Sequence, residues 1–162
     1  MNQRMNEMRF ATIRSIMTIA VCVGWLINGG GWAQADWLNF RGNDSQCAAT
    51  GTTVLPSGDE SKVAWKKATS GVGISSPIVI GDQVIVTGSG GQDQRDLYVE
   101  SFDVRDGSRN WRQTMHALGR PYTHPTSANA SPTPASDGEF TVALYSSCDL
   151  VCLRNDGRPL WF

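Results

Sequence analysis

Cysteine is scarce in this 162-residue chain: four in all, at Cys22, Cys47, Cys148 and Cys152. Cys22 lies in the leading segment described below, which leaves three, and an odd number excludes a fully paired disulfide framework. Cys148 and Cys152 stand four apart around an expected hairpin, open either to a bridge across it or to burial as two small residues. Neither His116 nor His124 sits at ligand spacing to them, and a metal site needs three or four convergent ligands; none is expected. An excess of charge is lacking too. Lys and Arg number 14 against 15 Asp and Glu, so no basic field favours nucleic acid. Long apolar runs are missing with one exception, residues 15–26. No 3.6-residue periodicity appears after residue 36, which argues against a helical or α/β domain.

What is present begins with that exception. Arg4, Arg9 and Arg14, offset only by Glu7, precede the apolar run. The run is well short of the roughly 20 residues a spanning helix needs, and Asn28-Gly29-Gly30-Gly31 breaks it. Ala33 and Ala35 are the small residues a signal peptidase accepts. Residues 1–35 are therefore expected to be a signal peptide, cleaved between Ala35 and Asp36. The protein is expected to be exported, periplasmic or extracellular, with no stable membrane span after cleavage. Cys22 lies inside the run without a leading small-residue pattern, which disfavours a lipoprotein signal.

The remaining chain repeats itself. Ser75-Ser76-Pro77-Ile78-Val79-Ile80-Gly81-Asp82 and Ala130-Ser131-Pro132-Thr133-Pro134-Ala135-Ser136-Asp137 share a Ser-Pro opening with Asp five positions after the proline. Each unit closes alike: Asp106-Gly107 and Asp156-Gly157 are turns with tryptophan four residues after the glycine, at Trp111 and Trp161. Asp-Gly supports a tight turn because glycine tolerates positive φ and Asp bonds its own backbone. Trp65, in Val63-Ala64-Trp65-Lys66, reads as the closing strand of a preceding unit; the three tryptophans are 46 and 50 residues apart. Each unit spells four short antiparallel strands, and four-stranded units of this length suit blades of a β-propeller. The expected division is an entry segment with a partial blade over 36–74, a blade over 75–112, a connection over 113–130 and a second blade over 131–162.

These units resemble the PQQ-like (quinoprotein-type) β-propeller repeat, the fold of quinoprotein alcohol dehydrogenases and of BamB-like outer-membrane assembly scaffolds. Its tryptophan-docking signature runs Asp, two residues, Thr-Gly, three residues, Trp. Asp103 to Trp111 follows it, with Asp106 in place of Thr; the second copy lacks one residue ahead of Asp156-Gly157 and has Arg154 near the expected Asp, which is expected to weaken its turn. The opening Asp36-Trp37-Leu38-Asn39-Phe40-Arg41-Gly42, with Leu55-Pro56 following, is similar to the entry of exported propellers of this kind common in Planctomycetes. The resemblance implies an all-β, incomplete propeller with Trp65, Asp103, Gly107, Trp111, Gly157 and Trp161 as structural docking residues. A propeller closes at typically four to eight blades, so the chain is expected to be the N-terminal part of a longer protein, and alone to expose sheet edges and apolar faces.

The resemblance fixes the fold more tightly than the activity, because one fold hosts many functions. Quinoprotein catalysis would need an Asp base, Glu and Asn ligands for calcium and an aromatic floor under the quinone, and no position here is assigned to any of them. Glu60, Glu100 and Glu139 are expected to be solvated. Ser75-Ser76 and Ser146-Ser147 lack a companion base. Thr87-Gly88-Ser89-Gly90-Gly91 has the glycine content of a phosphate cradle without the following Lys and Ser/Thr, and is expected to form a mobile hairpin loop. Arg120, Tyr122 and His124, on the connection between units, form the best candidate ligand cluster, since loops carry function. The leading expectation is a protein-binding or scaffolding module with an unknown protein partner and no catalytic residues, metal or cofactor. The rivals are a dehydrogenase, using PQQ and calcium, whose active site lies in further blades, and a nonfunctional truncated product.

Overall fold

The computed structural model describes residues 36–43, 63–121 and 123–162. The expected signal peptide and its cleavage junction lie outside the described residues, as do Cys47, Leu55-Pro56, Glu60 and Tyr122.

Runs of β-branched residues broken by Gly-Asp or Asp-Gly make strands with tight returns, and two sheets result. The first comprises β1 (Ile78–Ile80), β2 (Gln83–Gly90), β3 (Asp96–Asp103) and β4 (Arg109–His116), antiparallel and in chain order. The second repeats that order with β5 (Ala135–Ser136), β6 (Phe140–Leu144), β7 (Leu150–Arg154) and β8 (Pro159–Trp161). The fold is all-β; the one helical element among the described residues is a single 3-10 turn, Gln92–Gln94. No described helix is long and apolar enough to cross a membrane.

Register decides which side chains meet. The pairs Ile85↔Ser101, Thr87↔Val99 and Ser89↔Leu97 align one face of β2 and β3. Ile85, Leu97 and Val99 from the first sheet join Ala143, Val151 and Leu153 from the second, and Tyr145 just past β6, in one buried cluster, so the core lies between the sheets. Tyr145 is buried there and its hydroxyl donates to the Tyr98 carbonyl at 2.8 Å. Both sheets carry the same irregularity near the end. Phe102 faces Arg109 while Ser101 faces Trp111, and Leu153 faces Pro159 while Cys152 faces Trp161. Asn110 and Leu160 are thus the extra residues of two matching β-bulges, which re-aim the tryptophans that follow.

The two turns before the bulges share a plan. Gly107 N–H donates to the Asp103 carbonyl at 2.9 Å, and Gly157 N–H to that of Arg154 at 2.8 Å. Ser108 N–H donates to Asp106 Oδ1 at 2.7 Å, and Arg158 N–H to Asp156 Oδ1 at 2.9 Å. The missing residue does not strip the second turn of bonds, contrary to expectation. Asn155 compensates: its Oδ1 accepts from Thr141 Oγ1 at 2.7 Å, and its Nδ2 donates to the Gly138 carbonyl at 2.8 Å.

Four further expectations are corrected. Thr87 to Gly90 form the end of β2, paired with Asp96 to Val99, and not a loop. Glycine is needed because residues 70–73 lie against this strand: a Cβ on Gly88 would meet the Ser70 carbonyl oxygen at 2.3 Å, and one on Gly71 the Ser89 oxygen at 2.2 Å. The first unit runs past residue 112 to His116, because β3 already begins at Asp96 and pairs with it. Val63 to Lys66 form no strand; the segment is held by side-chain contacts to the first sheet, and Val72 alone bridges to Ser89. Glu100 is 1% exposed and not solvated.

Candidate functional site

Tryptophan and glycine meet where one unit adjoins the next. Trp65 Nε1 donates to the Val104 carbonyl at 2.8 Å, and a Cβ on Gly107 would lie 2.5 Å from the same indole. One unit on, Trp111 Nε1 donates to the Asn155 carbonyl at 3.1 Å, and a Cβ on Gly157 would lie 2.7 Å from that indole. Both glycines have positive φ, 68° and 89°. Each therefore fills two requirements together, a left-handed backbone and a ring stacked where a side chain would stand. Trp161, at the equivalent place in β8, is 49% exposed. Asp103 acts within its own turn: Oδ1 accepts from Arg105 N at 2.8 Å and Oδ2 from Arg105 Nη2 at 2.6 Å. The Arg105 guanidinium and backbone N–H hold the Asp103 carboxyl down at about 2. Bonds from the Ser108 backbone and hydroxyl likewise lower Asp106.

Glu100, on β3, faces the segment that carries Trp65. Its Oε2 accepts from Ser70 N at 2.6 Å, and its Oε1 from Ser70 Oγ at 3.0 Å and Arg109 Nη1 at 3.2 Å. Arg112 Nη1 donates to Ser70 Oγ at 3.0 Å and lies over the Tyr98 ring. A buried carboxylate persists only when its oxygens are so occupied. Sequence reading missed it because a lone Glu within a strand carries no sign of its partner 30 residues earlier.

The connection between the sheets is held by a second buried polar set, around Asn129. Gln94 Oε1 accepts from Asn129 N at 2.7 Å and from Ser89 Oγ at 2.9 Å. Asn129 Oδ1 accepts from Ser147 N at 2.9 Å, and Ser147 Oγ donates to Asp149 Oδ2 at 2.6 Å. The expected loop cluster divides here. Arg120 lines an open depression of about 540 Å³ with Asp93, Gln94, Arg95, Pro121 and Thr123. His124 instead turns to Thr126, with Nδ1 at 2.8 Å from Oγ1, and does not line the depression. Tyr122 is outside the described residues. Cys148 and Cys152 are both free, the first exposed at φ 65°, the second buried.

Among the described residues no three His, Cys, Asp or Glu side chains converge as metal ligands. Among the described residues the two buried carboxylates are occupied by protein donors, Glu100 as above and Asp149 by Ser147 Oγ and Leu118 N. This donor set does not fit a calcium ion with a bound quinone.

Two four-stranded antiparallel sheets, each closed by a tryptophan strand after a matching bulge, define a β-propeller-type repeat protein. The family model described as outer membrane protein assembly factor BamB matches residues 40–162, and the chain belongs to this family of PQQ-like repeat proteins. A comparison with curated proteins finds no match.

Proposed function

We propose that this chain is an exported repeat module that binds another protein and carries no catalysis or cofactor of its own. The observation that supports this best is the outer face of the second sheet. Register places Val142, Leu144, Leu150, Cys152 and Trp161 on that face, through the pairs Val142↔Cys152, Leu144↔Leu150 and Cys152↔Trp161. Leu144, Leu150 and Trp161 are 45%, 41% and 49% exposed. Exposed apolar side chains gathered on one sheet face suit an interaction surface. The matched family's description names outer-membrane protein assembly, so the partner is proposed to be a protein of such an assembly, met in the periplasm.

A photo-crosslinking residue at Leu150, in cells making the chain, tests this reading. The expected result is one dominant adduct to a second protein, lost when Trp161 is replaced by Asp. Absence of any adduct to another protein would overturn it. Alcohol-dependent dye reduction by the purified protein supplied with PQQ and calcium would favour the dehydrogenase reading instead.

A further inference from the structure

We propose that the depression between Arg95 and Arg120 is a carboxylate-binding site. Its walls come from two separate stretches, Asp93-Gln94-Arg95 ahead of β3 and Arg120-Pro121-Thr123 beyond β4. It uses none of the residues of the apolar face.

The first wall is fixed in an unfavourable conformation. Asp93 and Gln94 both have positive φ, 56° and 55°, a region unfavourable to a non-glycine residue. The buried Asn129 network holds Gln94 there: Asn129 N and Ser89 Oγ donate to Gln94 Oε1, and Asn129 Nδ2 donates to the Gln94 carbonyl at 3.2 Å. Arg95 follows directly. Its Nη2 donates to the Ala117 carbonyl at 3.2 Å, while its Nε is buried with no partner. Arg120, on the opposite wall, is exposed and belongs to none of the ion pairs among the described residues. Two arginines thus line one depression, and neither is paired with a carboxylate among the described residues.

Guanidinium groups present a planar fork that matches a carboxylate, and Thr123 lines the same wall as Arg120. Asp93 lines the same space. Its charge leaves the walls with a net single positive charge. A volume of about 540 Å³ admits an acidic side chain with its neighbours, or a small organic acid. The carboxylate therefore has two sources, a peptide or a free acid, and the test separates them.

The purified protein is titrated by calorimetry with an N-acetylated, C-amidated tetraglutamate peptide and, separately, with succinate. Arg120→Gln is expected to weaken binding about tenfold, the value of one lost charge-assisted hydrogen bond, without moving the thermal midpoint. Asp93→Asn is expected to tighten it, which keeps the test decisive should the arginine variant fold poorly. Binding of the peptide alone assigns the carboxylate to a protein ligand. Binding of succinate, with or without the peptide, assigns a site that takes the free acid. No binding of either probe, or binding indifferent to both substitutions, overturns the site. None of these outcomes depends on the crosslink at Leu150.

Discussion

Gly107 and Gly157 each meet two constraints, a positive φ and an indole in contact. Gly107→Ala is expected to cost about 2 kcal/mol or more from these two effects, read as a lowered urea midpoint. The two effects separate in a double-mutant cycle. With Trp111→Ala in place, Gly157→Ala should cost less than in the parent, leaving only the backbone cost. Asp103 is the residue whose charge the fold favours: its carboxyl is held at about 2 by Arg105, below the ordinary value near 3.9. Its contribution is present above the unfolded value and is lost as pH falls through the folded one. Asp103→Asn should therefore flatten the fall in stability between about pH 4 and pH 2 in acid denaturation. Tyr145 works in the other direction. Burial raises its phenol, so its contribution holds below about pH 10 and fades as pH rises through the folded value.

Strands and turns were largely legible before the structure, and the reasons are local. Asp-Gly, Gly-Asp and Ser-Pro are short-range signals that mark where a strand must return, and the recurrence of Trp111 and Trp161 after Asp-Gly revealed the unit. What escaped was set by contacts distant in sequence. Thr87 to Gly90 look like loop because glycine is poor in strands, yet residues 70–73 demand glycine in that strand. Val63 to Lys66 look like strand from composition, yet the Trp65 indole and Ser70 fasten that stretch to Val104 and Glu100 through side chains. Glu100→Ala tests this fastening. It leaves Ser70 N–H, Ser70 Oγ and Arg109 without their carboxylate and is expected to destabilise by about 3 kcal/mol in denaturant titration. Of the candidate cluster, sequence position pointed to Arg120; Arg95 was hidden, because only the fold carries the turn before β3 to the connection between sheets.

At the scale of the molecule, the two faces of the second sheet differ. One closes the core with Ala143, Val151 and Leu153, while the other displays Leu144, Leu150 and Trp161. Such a surface favours association. The purified chain is expected to sediment as concentration-dependent oligomers, and Leu150→Asp to shift it toward monomer. A sharp monomeric profile at all concentrations would show that the face is inert. Family membership and this surface are what the proposed role in contact with other proteins rests on, and the depression at Arg95 and Arg120 is proposed to take a carboxylate.

The tryptophan–glycine contact also gives the molecule a direction in time. Trp65 precedes the Gly107 it packs against, and Trp111 precedes Gly157. During synthesis or threading from the N-terminus, each of these two indoles therefore emerges well before the surface that receives it. Each unit waits, incompletely sealed, for its successor, and sealing advances along the chain like a zip drawn from one end. An interruption at any point leaves a single unsealed indole at the growing edge, whichever unit that edge has reached.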